Sequence, residues 1–151
     1  MATTIVLDLL DRVPVITEML VMVQREVGER LAAPVGGSAW GIPSVKLSLW
    51  ATAEVAARVP ATVFVPQPKV ESVLVRIVRR DRPAVDVDPE ALMGLVRIAF
   101  GQRRKMLRRS LAAVVTPEQF AEAGIDPAER PERLTVAQWG ALTAVVDRSR
   151  R

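Results

Sequence analysis

The sequence predicts an α/β fold for the first half of the chain and an all-helical fold for the second half. Two short apolar runs, at residues 19–23 and 72–79, are typical of β-strands that are covered on both faces. A charged, proline-containing stretch follows at 79–83, and beyond it apolar residues recur at helical spacing. We therefore expect a mixed α/β unit in residues 1–82 and a small helical domain in residues 83–151.

In the first half, prolines and glycines delimit the predicted elements. Pro14 ends an opening helix, the Gly36-Gly37 pair ends a second one, and Pro43 suits the first turn of a third. Residues 53–59 fit helix or strand, and we predict a strand because Pro60 closes the segment. The predicted order is a helix at 3–13, a strand at 19–23, helices at 25–33 and 43–51, and strands at 53–59 and 72–79.

The second half carries clear helix boundaries. Asp88-Pro89 caps and starts one helix, and Thr116-Pro117 and Thr135 open two others as capping residues, each with a glutamine three positions later. Gly124 is placed to end the middle one of these. The apolar stripes that accompany the predicted helices are Leu92, Leu95, Val96 and Ala99; Leu107, Leu111, Val114 and Val115; and Val136, Trp139, Leu142 and Val146.

Composition excludes several classes of function. The 151 residues are 50% hydrophobic, with a mean hydropathy of +0.21 and a net charge of +4, which is typical of a folded chain. Because there is no cysteine and no histidine, disulfides, Cys/His zinc sites, Ser-His-Asp triads and imidazole catalysis are excluded. No apolar run approaches the roughly 20 residues that span a bilayer, and the N-terminus resembles no signal peptide. We expect a cytoplasmic protein without membrane association and without a bound metal.

Residues 97–109 form a basic cluster without any acidic residue. Lys105 and Arg109 are one helical turn apart and opposite the Leu107/Leu111 stripe, so we expect them to project into solvent. Such clusters bind phosphate backbones, although a solvated helix face is the plainer alternative. The six basic residues of the cluster are Arg97, Arg103, Arg104, Lys105, Arg108 and Arg109.

The segment from Phe64 to Ser72 is the second unusual stretch. Pro66 and Pro68 stiffen it, and it presents an aromatic ring and the cation of Lys69 just before a strong strand. A rigid loop of this kind is suited to clamp a flat ligand. The alternative is an ordinary loop with Phe64 tucked into the core.

Five motifs follow one another along the chain: Val21–Val27, Trp40-Gly41 with Ser44-Val45, Phe64–Ser72, Phe100–Leu111, and Gly124–Leu134. Taken together and in this order, they resemble the ribosomal-RNA adenine dimethyltransferases of the KsgA/RsmA type. No single motif is specific, but their joint order and spacing are, and they cover essentially the whole chain. They correspond only to the C-terminal part of a family member.

The resemblance implies a fold and an activity. The fold would be the last three strands of a Rossmann-like class I methyltransferase sheet, with 72–79 between the other two, followed by the helical domain. The activity would be methyl transfer from S-adenosylmethionine to the N6 atoms of two adjacent adenines in small-subunit rRNA, a step of ribosome biogenesis. The implied partner is the small ribosomal subunit, and we expect a monomer.

The resemblance also assigns roles to particular residues. Phe64 matches the aromatic residue that stacks on the target adenine, which must leave its own stack before its amine can react. RNA contacts are implied for Lys69, Arg103, Arg104, Lys105, Arg108 and Arg109.

The family's catalytic Asn-Leu-Pro-Tyr loop and its donor-binding motifs are missing, so no catalytic or cofactor-binding residue is assigned. The loop would fall just before Ala2, which suggests that Met1 is an internal start in a longer reading frame. We expect this chain alone to bind S-adenosylmethionine negligibly, to be inactive, and to fold poorly because the strand at 19–23 would expose an apolar edge.

Two other interpretations remain open. The chain could be a standalone, non-catalytic module that binds RNA or the ribosome. It could also derive from a resistance methyltransferase of the Erm type, although the motifs at 100–111 and 124–134 favour the KsgA/RsmA type.

Overall fold

The computed structural model describes residues 2–151, so the hypothesis of an internal start at Met1 lies outside the described residues. All of the predicted helices and strands are present, with small differences at their ends and one large difference in the basic cluster. In chain order they are α1 (Ala2–Arg12), β1 (Glu18–Gln24), α2 (Arg25–Leu31), α3 (Ile42–Trp50), β2 (Ala51–Val59), β3 (Ser72–Arg79), α4 (Pro89–Gly101), α5 (Leu107–Ser110), α6 (Pro117–Ala123) and α7 (Val136–Ser149).

The three strands form one antiparallel sheet in the order β1-β3-β2. The predicted central position of β3 is confirmed. The register places Leu20 and Glu54 on either side of Arg76, and β2 carries an irregularity between Val55 and Ala57. Residues 53–59, which fit helix or strand in the sequence, belong to strand β2, which begins at Ala51, two residues before the predicted start.

Only one face of this sheet is covered. Val73, Val75 and Ile77 of β3 are at most 1% exposed, because α1, α2 and α3 pack over them. On the opposite face Leu20 is 63% and Met22 is 52% exposed. The prediction that β1 and β3 are covered on both faces is therefore wrong for the described chain, since no described element lies over the second face.

A larger core holds the helices of the second half together. Its buried residues include Leu92 of α4, Phe120 of α6 and Trp139 of α7. Helix α3 contributes to both cores, with Val45 in the larger one and Leu47 in the one under the sheet. We call residues 2–82 the sheet region and residues 83–151 the helical region, and α3 packs against both.

Arg79 ties the end of the sheet to the first helix. Its guanidinium donates hydrogen bonds to the carbonyl oxygens of Leu10, Val13 and Ile16, at 2.6 to 3.0 Å. These carbonyls lie at and just beyond the last turn of α1, where helical partners are missing and a cation is favourable. The predicted linker is thus anchored at its first residue.

The basic cluster is not one continuous helix. Helix α4 ends at Gly101, the chain turns, and α5 spans only Leu107–Ser110. The backbone N–H groups of Leu107 and Arg108 donate to the carbonyls of Glu129 and Pro127, which holds the short helix against a distant loop. The prediction that Lys105 and Arg109 share one helical face is wrong, because Lys105 lies in the turn before α5.

Candidate nucleic-acid interface

Phe64 lines a groove beside the end of β1 and the start of β3. A short 3-10 turn at Ala61–Val63 follows Pro60, and the Phe64 N–H closes it by donating to the Ala61 carbonyl. The Phe64 side chain is half-buried and belongs to neither hydrophobic core. The groove measures about 370 Å³ and is lined by Met22, Val23, Gln24, Phe64, Pro66, Pro68, Val70 and Ser72.

The floor and walls of this groove suit a flat, mostly apolar group. Pro66 and Pro68 restrict the loop that faces the strand ends, and the Val65–Pro66 peptide bond is cis. Val65 itself points into solvent at 99% exposure, so the loop turns Phe64 and the prolines toward the groove. Phe64 therefore does not occupy a core position, and the clamp interpretation of this loop stays a prediction.

The start of α1 lies next to the same place. A second groove of about 360 Å³ is lined by Ala2 and Thr3 together with Met22, Val23, Gln24 and Val27. Three of these residues also line the Phe64 groove. The first described residues of the chain and Phe64 therefore approach the same end of β1 from two sides.

Lys69 lies in a more mixed electrostatic setting. It borders a polar groove with Arg25, Glu26 and Glu71. Arg25 pairs with Glu71 at 3.8 Å and with Glu29 at 3.5 Å, while Lys69 makes no ion pair within residues 2–151. The Lys69 ammonium is thus an exposed cation at the rim of the Phe64 loop.

The basic cluster divides into paired and unpaired members. Arg97 lies 3.7 Å from Glu90 across one face of α4. Arg103 also has partners, namely the Phe100 ring, the Ser38 carbonyl and the Glu132 carboxylate. No carboxylate of the described residues lies within ion-pair distance of the other four, which are exposed: Arg104, Lys105, Arg108 and Arg109.

Arg103 connects the helical region to the loop before α3. Its guanidinium lies 5.5 Å from the centre of the Phe100 ring and donates to the Ser38 carbonyl at 3.0 Å. Its Nε is 3.9 Å from Oε2 of Glu132. These contacts leave Arg103 less free than Arg104 to meet an outside anion.

An ion-pair triad on the open sheet face was not predicted from the sequence. The Arg76 Nε donates to Glu18 at 2.6 Å, and its Nη1 lies 3.7 Å from Glu54. The hydrogen bond to Glu18 is the main cause that raises the pKa of Arg76 above its ordinary value, with a smaller contribution from Glu54. The three residues are adjacent only because β3 lies between β1 and β2, so local sequence patterns could not reveal them.

The described residues contain neither a candidate metal site nor a candidate membrane-spanning helix. Residues 2–151 contain no group of three or more acidic, histidine or cysteine side chains that could hold a metal ion. Among the same residues, none of the helices has the length and apolar character needed to cross a membrane.

Comparisons with known proteins agree on one family. The family model for ribosomal RNA adenine dimethylase matches residues 1–147. The ribosomal RNA small subunit methyltransferase A of Acidothermus cellulolyticus is 43% identical over 143 residues, covering 91% of this chain and 49% of the relative. The protein of the same name from Bifidobacterium longum is 42% identical over 158 residues, covering 97% of this chain and 51% of the relative.

Solved structures support the same fold. A dimethyladenosine transferase from Plasmodium falciparum superposes with a TM-score of 0.80 at 18% identity, covering 93% of this chain and 61% of that one. The 23S rRNA methyltransferase ErmE superposes with a TM-score of 0.71 at 21% identity, covering 96% of this chain and 61% of that one. The α/β class and the following helical region, both predicted from the sequence, are confirmed.

Proposed function

Because the chain belongs to the ribosomal RNA adenine dimethylase family, we propose that it is the C-terminal, RNA-binding portion of an enzyme that dimethylates adenines of small-subunit rRNA. The chain spans about half the length of the curated relatives that it matches. The observation that carries the proposal is the position of Phe64, whose ring lines a groove at the strand ends. We further propose that it acts in the cytoplasm, as a monomer, on the small ribosomal subunit.

We assign the role of stacking on the target adenine to Phe64. An adenine that has left its helix needs an apolar wall to replace its lost stacking partner and to exclude water. Phe64, Pro66 and Pro68 offer such a wall next to the polar side chain of Gln24. The groove therefore holds the base, while the reacting groups come from outside the described residues.

We propose that the described residues do not by themselves form a site for S-adenosylmethionine. Neither the Phe64 groove nor the neighbouring groove at Ala2 and Thr3 is lined by an acidic side chain that could hold ribose hydroxyls. In the complete enzyme that cofactor would supply the methyl group. We propose that residues preceding Ala2 supply its site, and that this chain alone is inactive.

RNA contact is assigned to the exposed cations. Arg104, Lys105, Arg108 and Arg109 have no acidic partner among the described residues, so each can neutralise a phosphate and release counterions. Lys69 would add a contact close to the base-binding groove. Arg103 would contribute least to direct binding, because its guanidinium already donates to Ser38 and faces Glu132.

A fusion protein tests the proposed activity. The N-terminal half of the Acidothermus cellulolyticus relative would be joined to Ala2 of this chain and assayed on small ribosomal subunits that lack adenine methylation. We expect methylation by the fusion and none by the chain alone. A fusion that folds but shows no methylation would contradict the proposal.

The role of Phe64 is tested in the same fusion. Phe64→Ala should lower the methylation rate by roughly fivefold or more, because a stacked base is worth roughly 1–3 kcal/mol. Val63→Ala is the matched control, since Val63 is 60% exposed and does not line the groove. Equal rates for the two variants would remove Phe64 from the mechanism.

A non-catalytic RNA- or ribosome-binding module is the second candidate. The observation that favours it is the well-buried core of the helical region, which its own helices close together with α3 beneath the unpaired cations. It predicts that the 151-residue chain binds small subunits with full affinity and that the fusion remains inactive. Methylation by the fusion would decide against this candidate.

A further inference from the structure

A second apolar groove lies in the helical region, on the side of the basic cluster. It measures about 400 Å³ and we call it the Arg108 groove. Its floor is formed by Val115 and Phe120, which are 4% and 2% exposed. The groove is lined by Arg108, Ala112, Val115, Pro117, Phe120 and Pro127.

The walls of the Arg108 groove are held in place by backbone contacts. The Arg108 N–H donates to the Pro127 carbonyl at 2.9 Å, which fixes α5 against the loop on the far side. The Thr116 hydroxyl accepts from the Gln119 N–H and sets the start of α6 at Pro117. The groove is thus preformed, and a ligand that enters it would lose little free energy in ordering the protein.

Charge at the rim indicates what kind of ligand fits. Arg108 is exposed and has no acidic partner among residues 2–151, and Arg104, Lys105 and Arg109 lie close to it in sequence. The acidic residues nearest in sequence to the lining are Glu118 and Asp126, and the Asp126 carboxylate accepts the Ala128 N–H. An anionic ligand would therefore place its charge at the Arg108 side and its apolar part over Phe120.

We propose that the Arg108 groove binds one unpaired nucleobase of the RNA, with the Arg108 guanidinium on a neighbouring phosphate. A nucleotide outside a helix carries a flat apolar face and an anion on the same unit, and it finds an apolar groove and a cation here. This inference rests on the proposed function only in taking RNA as the partner. It adds a second base-binding position, distinct from the Phe64 groove.

The wild-type chain can be tested without any substitution. The affinity of the chain would be measured for three RNA hairpins that share the same stem and loop. One has a perfect stem, one has a single bulged adenosine in the stem, and one has an abasic residue at the bulge position. Because one stacked base typically strengthens binding by roughly fivefold or more, the bulged adenosine should bind at least that much more tightly than the other two. Equal affinity for the adenosine and abasic bulges overturns the proposal.

A pair of adjacent alanines gives the matched variants. Ala112 lines the groove and Ala113 does not, and both are exposed. Ala112→Trp should fill the groove and abolish the preference for the bulged adenosine, while Ala113→Trp should keep it. Ala112→Leu is the smaller alternative if the tryptophan disturbs folding, which circular dichroism would show. A preference that survives filling by either side chain overturns the proposal.

Salt dependence separates this inference from the proposed function. Arg108→Ala should reduce the slope of log affinity against log salt by just under one, as expected for one lost phosphate contact. If the bulge preference is absent but salt-dependent binding remains and weakens in Arg104→Ala, only the base-binding inference fails. If no hairpin binds at low salt, the RNA-binding proposal fails with it.

Discussion

The sheet region and the helical region differ in how completely each buries its apolar side chains. Ten large apolar residues are exposed in the described chain, and nine of them precede residue 83, whereas Ile98 alone belongs to the helical region. The helical region closes its core with its own helices and α3. The sheet region covers one face of its sheet and leaves the other, with Leu20 and Met22, to solvent. Most of the apolar surface that the described residues leave exposed therefore belongs to the sheet region.

The largest difference in stability is expected when one leucine from each region is replaced by alanine. Leu142 is fully buried in the helical core, so Leu142→Ala should lower the free energy of unfolding by about 2–5 kcal/mol. Leu20→Ala on the open face should change it by less than about 0.5 kcal/mol. Urea denaturation followed by circular dichroism measures both. A comparable loss for Leu20→Ala would mean that the open face is covered in solution, for instance by a second copy.

Alanine substitution of one helical glycine in each region should change the free energy of unfolding in opposite directions. A methyl group on Gly28 of α2 would collide with Val73 and crowd Val75, which are both buried on the covered face of β3. Gly28→Ala should therefore destabilise by roughly 1–3 kcal/mol. Gly94 of α4 has no atom within 4 Å of such a methyl group, and Gly94→Ala should stabilise by roughly 0.5–1 kcal/mol. Thermal unfolding of the two variants checks the signs, and a stabilising Gly28→Ala would contradict the packing.

Helix capping gives a smaller effect in the helical region. The Thr135 hydroxyl accepts from the Gln138 N–H at 3.1 Å, and the Gln138 side chain accepts from the Thr135 N–H at 2.8 Å. Thr135→Ala should cost about 1 kcal/mol, while Thr135→Ser keeps the hydroxyl and most of the stability. Helix α2 of the sheet region begins at Arg25, and its N-cap residue Gln24 makes no side-chain capping hydrogen bond. Equal stability of the alanine and serine variants would show that this cap contributes nothing.

The smallest change in stability is expected on the open face, together with a clear change in solubility. Leu20 lies opposite Arg76 in the β1–β3 register, so Leu20→Glu replaces an exposed apolar side chain by a third carboxylate beside Arg76, which already pairs with Glu18 and Glu54. Stability should shift by less than about 0.5 kcal/mol. Light scattering on warming should show later aggregation than in Val63→Glu, which adds the same charge on a loop. The same onset in both variants would mean that net charge alone sets solubility.

Local sequence patterns sufficed wherever the determining groups are close in sequence. The capping residues Thr116 and Thr135 and the left-handed Gly124 were predicted from patterns of a few residues, and each stands as predicted. The central place of β3 came from the resemblance rather than from periodicity.

The errors arose where distant residues decide the structure. The uninterrupted apolar run at 19–23 indicated a strand covered on both faces, but such a run cannot show whether the described chain has an element to cover Leu20 and Met22. Helix α5 begins only at Leu107, whose N–H donates to the Glu129 carbonyl, 22 residues away, and a local pattern does not reveal such a contact. The Arg108 groove was also missed, since its lining combines α5, α6 and the loops beside them, and no single sequence pattern covers these segments.

The central strand β3 is also the last of the three strands to be synthesised. Glu18 of β1 has its partner in Val78, and Ala51 of β2 has its partner in Arg79. At the roughly 5–20 residues per second of translation, β1 waits some 3 to 12 seconds before its partner exists. Until β3 emerges from the ribosome, both edges of β1 lack a partner among the described strands. A nascent chain of this protein therefore exposes unpaired strand edges for several seconds while it is still attached to the ribosome.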